Sequence, residues 1–177
     1  VGTRHTEKEA KIEVVFNVWQ ESAIINALQS AHPYEEVAYD VVQLDNINHN
    51  IGSGIIGDLT DPVEENSFLQ LLKSIFNLQI VRHTRFQNKQ VKKIALCGGA
   101  CSFLIDKAFA AGADFYVTAD IKYHEFFDAN HKMVIADIGH YESEQFTIDL
   151  LFDKLTEKFP NFAIQKTGVN TNPVYYF

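Results

Sequence analysis

"VKKIALCGGACSFLIDKAFAAGADFYVTADIKYHEFFDAN" (Val91–Asn130) is the stretch whose reading decides the fold. "VKKIALC" is a short apolar run closed by two glycines, which predicts a strand. "SFLIDKAFAAG" carries apolar residues at helical spacing and stops on Gly112, the usual signal for a helix end. "DFYVT" is a second strand and "IKYHEFFDAN" a second helix. Downstream, "KMVIADI" predicts a third strand, His140 to Phe159 a long helix and "NFAIQ" a short strand. Strands that alternate with helices of this length predict a largely parallel sheet covered on both faces.

The rhythm upstream is different. "KIEVVFNVW" alternates with period two, Gln20 to Ala31 carries Ala23, Ile24, Ala27 and Leu28 at helical spacing, and "VAYDVVQL" alternates again. "IGSGIIGDL" is a glycine-punctuated strand. Asp61, Pro62 and Glu64 form a helix start, with an acid as cap, proline at the first position and glutamate three residues on. That helix is predicted to run to about Asn77, with "LQIVRH" as the strand after it. The order β-α-β-β-α-β is the split-βαβ, ferredoxin-like plan. The polar "RFQNKQ" separates the two rhythms, so the expected division is residues 1–88 and 89–177. In "HPYEE", Pro33 excludes helix for His32; the segment caps and turns the chain, or serves as a loop for subunit contact or ligand sensing.

Composition narrows the function. With 177 residues, 46% of them hydrophobic, the chain can bury one substantial core or two small ones. A net charge of −8, and no basic cluster longer than "RHTR" or "VKK", argue against direct nucleic-acid binding. No apolar run reaches the roughly 18 residues of a membrane span, and the N-terminus lacks a signal-peptide pattern, so no membrane partner and a cytoplasmic location are expected. Cys97 and Cys101 flank the Gly-Gly turn, which is read as two small buried residues with reduced thiols. The chain starts on Val1 with a polar, patternless "VGTRHTEKEAK", which suggests a piece with more sequence upstream.

Ligands of open α/β sheets bind beyond the carboxyl ends of the strands. That rule selects "CGGACS", "TADIKYH" and "DIGHYESE", and with them Ser102, Thr118, Asp120, Tyr123, His124, Asp137, His140, Glu142 and Glu144. His140 and Glu144, four apart, share a helix face, while Glu142 points elsewhere. An imidazole nitrogen and a carboxylate oxygen so placed can grip a divalent ion or sit as a solvated pair; a neutral, metal-bound histidine suits a helix start better than a protonated one. Asp120 reads first as a helix N-cap and, with His124, as support that orients a ligand. The "GGA" turn lacks the residues of a phosphate loop. Ser102 lacks a nucleophile elbow. Two ligands do not complete a catalytic metal site, so the deficit falls to Asp120, His124 or Asp137, or to groups outside this chain.

"AHPYEEVAYDV" (Ala31–Val41), "IALCGGACSFLIDKAFAAGADFYVTADIKYHEFFDA" (Ile94–Ala129), "DIGHYESE" (Asp137–Glu144) and "NTNP" (Asn170–Pro173), in that order, resemble the NIF-three-like (NGG-one-interacting-factor-three-like) family, often catalogued as GTP cyclohydrolase 1 type 2. The resemblance implies an α/β fold: a PII/CutA-like, ferredoxin-like inserted domain over 1–88, followed by the second half of a dinuclear metal-binding core over 89–177. It implies His140 and Glu144 as metal ligands, and Asp120 and His124 near the site as catalytic residues that orient ligands or relay protons. The implied cofactors are two divalent ions per complete site, zinc, iron, manganese or cobalt. The implied partners are a small-molecule substrate or effector and further copies of the chain in a hexameric trimer of dimers. The family's tandem histidine and aspartate are missing here, so half a site is expected. Ala119 replaces a usual glycine, and Ala100-Cys101 a common Ser-Gly pair. Two functions are implied: a metal-dependent hydrolase acting on a nucleotide-like or other small substrate, or a non-enzymatic metal-binding scaffold whose PII-like unit binds an effector.

Overall fold

The computed structural model describes residues 2, 6, 8–48 and 51–177. Two compact units are present, residues 1–47 and residues 48–177. In the first, a 3-10 turn over Val18–Gln20 leads into α1 (Glu21–Ala31). His32 leaves that helix in extended conformation, as the following proline demands, and its Nδ1 accepts a hydrogen bond from the Tyr34 N–H at 3.2 Å. The expected strands at 11–19 and 37–44 form no ladder among the described residues, and Ile12, Val14, Val15 and Val42 are exposed. Alternation supplies one apolar face, but a strand also needs a neighbour for its backbone groups.

The second unit is a mixed α/β layer. Its strands are β1 (Ile55–Glu64), β2 (Arg82–His83), β3 (Gln90–Ala100), β4 (Phe115–Ala119) and β5 (Val134–Asp137), in the order β1-β3-β4-β5-β2. The centre is parallel, β3 to β4 to β5, as the alternation of strand and helix predicts. Both edges run antiparallel and come from residues 55–83, which the sequence grouped with the first unit. Every residue of β4 and β5 is buried. Phe115, Val117, Val134 and Ala136 face Phe68, Leu69 and Leu72 of α2 (Glu65–Phe76). Tyr116 and Ile135 face the opposite layer, with Ile105 and Ala108 of α3 (Ile105–Ala110). Two covered faces explain why these strands read as continuous apolar runs.

Several boundaries move for local reasons. The helix expected from Asp61 starts at Glu65, because Pro62 lies in β1 where the register shifts between Asp58 and Val63, a place where no ladder N–H is required. Asn77 then ends α2 in left-handed conformation at φ 52°. "IKYHEFFDAN" forms a 3-10 helix over Tyr123–Ala129, capped at Lys122 rather than at Asp120, with the Lys122 N–H donating to Glu125 at 2.8 Å. The long helix from His140 divides into α4 (His140–Glu144) and α5 (Thr147–Lys158). At the break, the Gln145 amide donates to the Phe76 and Glu142 carbonyls, each at 3.1 Å. "NFAIQ" forms no strand.

Cys97 and Cys101 are buried as expected, at 5% and 8% exposure, yet they are joined in a disulfide rather than standing as two thiols. Their Cα atoms lie 6.1 Å apart across the irregular end of β3, within the span of such a bridge. Among the described residues no helix is long and apolar enough to cross a membrane.

Candidate functional site

The three strand ends selected from sequence do meet. Asp137, the last residue of β5, is 4% exposed, and a charge so buried needs partners. Its Oδ2 accepts the Ile121 N–H at 2.9 Å and pairs with the Arg82 guanidinium; its Oδ1 accepts the Gly139 N–H at 3.1 Å. One carboxylate thereby ties the exit of β4, the edge strand β2 and the start of α4 together.

Asp120 follows β4 at φ 54°, a left-handed turn that aspartate tolerates better than most residues. The turn aims its Oδ2 at His140 Nδ1, 2.6 Å away. The other ring nitrogen, Nε2, lies 3.3 Å from Glu144 Oε2, the neighbour one helical turn on. Gly99, in the irregular carboxyl end of β3, has φ 71°, and a Cβ there would collide with the Glu144 carboxylate and come within 3.5 Å of the His140 ring. The Gly99 N–H donates to Ser143 Oγ at 2.9 Å, Ser143 Oγ donates to the His140 carbonyl at 2.8 Å, and Thr118 Oγ1 donates to the Gly99 carbonyl at 3.0 Å.

Asp120, His140 and Glu144 are thus together, each about half exposed. They line a cavity of about 670 Å³, a size suited to a small molecule. His124 does not line it; it stands exposed on the 3-10 helix with its ring edge-on to Tyr123. Glu142 is in the lining and accepts a hydrogen bond from Asn172 Nδ2 at 3.3 Å. Arg82, Asn172 and Tyr176 also line the cavity, and sequence reasoning did not select them as site residues. Asn172 lay in the quoted "NTNP"; Arg82 and Tyr176 gave no local signal.

The hydrogen bond that His140 Nδ1 donates to Asp120, helped by the charges of Asp120 and Glu144, raises the His140 pKa above its ordinary value against a smaller opposing effect of burial. The folded pKa lies above the unfolded one. The pair's contribution to stability is therefore fully present below the unfolded value and is lost as pH rises through the folded one. In an NMR titration of metal-free protein, the His140 imidazole should titrate above 6.5, and Asp120→Asn should lower its midpoint. An unchanged midpoint would mean that the 2.6 Å contact does not form in solution.

For a divalent ion, the donor set fits in part. Asp120 occupies Nδ1, which leaves Nε2 as the donor facing Glu144, the arrangement in which a carboxylate orients a metal-bound histidine. Among the described residues no group of three His, Cys, Asp or Glu side chains is placed to hold a metal, so these residues offer His140 Nε2 and the Glu144 carboxylate and not a full cage.

The sequence profile described as Duf34/NIF3 (NGG1p interacting factor 3) matches residues 6–173. A Bacillus subtilis (strain 168) protein named GTP cyclohydrolase 1 type 2 homolog is 34% identical over 172 residues, covering 96% of this chain and 45% of the relative. A Staphylococcus epidermidis protein of the same name is 33% identical over 172 residues, covering 95% of this chain and 47% of its own. The crystal structure of a Bacillus cereus protein related to NIF3 superposes with a TM-score of 0.74 at 32% identity, over 92% of this chain and 46% of that one. The chain spans about half the length of these curated relatives. With a profile match over nearly its whole length and relatives above 30% identity, the chain belongs to the Duf34/NIF3 family.

Proposed function

We propose that this chain supplies half of a divalent-metal site in a hydrolase that acts on a small, nucleotide-like substrate. The observation that carries the reading is the position of the His140 imidazole, between Asp120 at 2.6 Å and Glu144 at 3.3 Å, on the wall of a cavity large enough for such a molecule. His140 Nε2 and Glu144 would hold metal, completed by groups from outside this chain. A bound pair of divalent ions supplies an acidified water and charge stabilisation at the attacked group. Asp120 fixes the imidazole tautomer by holding Nδ1 and keeps Nε2 directed outward. Asp137 holds the Gly139 N–H at the start of α4, and the Gly99 N–H holds Ser143 Oγ within it. His124, exposed on the neighbouring 3-10 helix, would contribute from outside the cavity wall as a proton relay.

The same reading takes the segment before β1 as part of an inserted, effector-binding unit and the sheet-bearing unit as half of the metal-binding core, with the boundary ahead of the expected 88/89 because β1, α2 and β2 join the core sheet, and a hexamer as the assembly. The relatives' name, GTP cyclohydrolase 1 type 2 homolog, makes GTP one candidate substrate. Elemental analysis of the full-length protein should find one to two divalent ions per chain as an order of magnitude. His140→Ala and Glu144→Ala should each lower metal affinity by about tenfold or more and abolish hydrolysis of nucleotides and phosphate esters. Metal retained at wild-type level in both variants would sink the assignment of ligands. Metal-loaded wild type without turnover on any of these substrates would favour a non-enzymatic scaffold.

A further inference from the structure

Arg82 is held unusually well for a half-exposed arginine. It pairs in the ladder with Asp137, and its Nη2 donates both to that buried carboxylate and, at 3.1 Å, to the Ile121 carbonyl. The guanidinium also lies over the Phe126 ring, 5.5 Å from its centre. Both hydrogen bonds run from the one nitrogen, while the side chain remains 55% exposed and lines the cavity that holds His140 and Glu144. A planar cation immobilised in this way has already lost much of its rotamer freedom, so a ligand that meets its outer N–H groups has less ordering to impose.

We propose that Arg82 is a specificity-determining residue that receives an oxyanion, a phosphoryl or carboxylate group, of a small molecule seated beside the metal half-site. The proposal rests on the metal reading given above. The body of the ligand would lie along the apolar part of the lining, Ile80, Ile148 and Val174. Charge decides the order of binding. Asp120, Asp137, Glu142 and Glu144 share the cavity with a single arginine, whose charge Asp137 already matches. The metal-free cavity therefore repels an anion, and divalent ions at His140 and Glu144 must arrive first. Arg82 then adds directed donors rather than net attraction, and fork-shaped N–H pairs suit an oxyanion better than a single ammonium does.

The test uses full-length protein loaded with manganese, phenyl phosphate as probe and phenol as its neutral counterpart, with binding followed by calorimetry and metal content by elemental analysis. Wild type should bind phenyl phosphate and discriminate against phenol. Arg82→Lys should weaken phenyl phosphate binding by about tenfold, and Arg82→Gln by more, both with manganese retained. Should Arg82→Gln fail to fold because Asp137 loses its cation, the Arg82→Lys comparison decides alone. Wild-type affinity in Arg82→Lys with manganese retained would overturn the proposal and leave the metal reading standing. Equal affinity for phenol, or equally tight phenyl phosphate binding by metal-free protein, would likewise overturn it. Wild type that takes up no manganese would overturn the metal reading, and the metal-first order with it.

Discussion

Asp137→Ala should lower the stability of the protein by about 3 kcal/mol, seen as a lower urea midpoint with little change in the slope of the transition. The estimate counts the groups left behind. The Ile121 N–H, on a residue only 1% exposed, and the Gly139 N–H would both lose their acceptor, at about 1–3 kcal/mol each when water cannot replace it. The ion pair with Arg82 adds less than a fully buried pair would, because the arginine is more than half exposed and screened. A loss of this size is a large share of the roughly 5–15 kcal/mol that holds a domain together. Asp137→Asn keeps one acceptor oxygen and should cost about 1 kcal/mol. If alanine and asparagine cost the same, the two backbone hydrogen bonds are not what the carboxylate contributes.

Gly99→Ala should act on the site more than on the fold. At φ 71° an alanine pays about 1–2 kcal/mol of backbone strain. Its Cβ would also collide with the end of the Glu144 side chain, which is flexible and half exposed and can swing away. The displaced group is the carboxylate that faces His140 Nε2. Metal affinity should therefore fall about tenfold or more while the melting temperature drops only modestly. Gly112→Ala is the matched control: φ is 74° and nothing lies within 4 Å of the added Cβ, so it carries the strain without the collision. Metal titrations of the two variants beside thermal melts separate the effects. Equal metal uptake in both would show that Glu144 is not held in place by the absence of a side chain at position 99.

What could be read in advance had local causes. The three parallel strands announce themselves because both faces are covered, so Ile94–Cys97, Phe115–Thr118 and Val134–Asp137 carry few polar interruptions. That His140 and Glu144 share a helix face was legible because helical spacing is a local property, and the glycines at 99 and 139 stand where the backbone takes a positive φ. Asp120 reads first as a cap and second as support that orients a ligand; the cap lies at Lys122 instead, and the left-handed backbone at Asp120 turns its carboxylate to a residue twenty positions away. Arg82 and Tyr176 join the cavity from segments far apart in sequence, and no spacing rule links them to His140. The alternation at 11–19 and 37–44 reads as strand because period two reports one apolar face and says nothing about a hydrogen-bonding neighbour.

The register shift in β1 bears on solubility. This strand is at the border of the sheet, where a row of free amide and carbonyl groups invites pairing with a stranger. Pro62 removes one of those amides, the pairing register with β3 shifts between Asp58 and Val63, and the acids at 58, 61 and 64 surround it with negative charge. A sequence that looked like the opening of a helix is in effect a guard against fibril-like stacking, and a valine at position 62 would take that guard down.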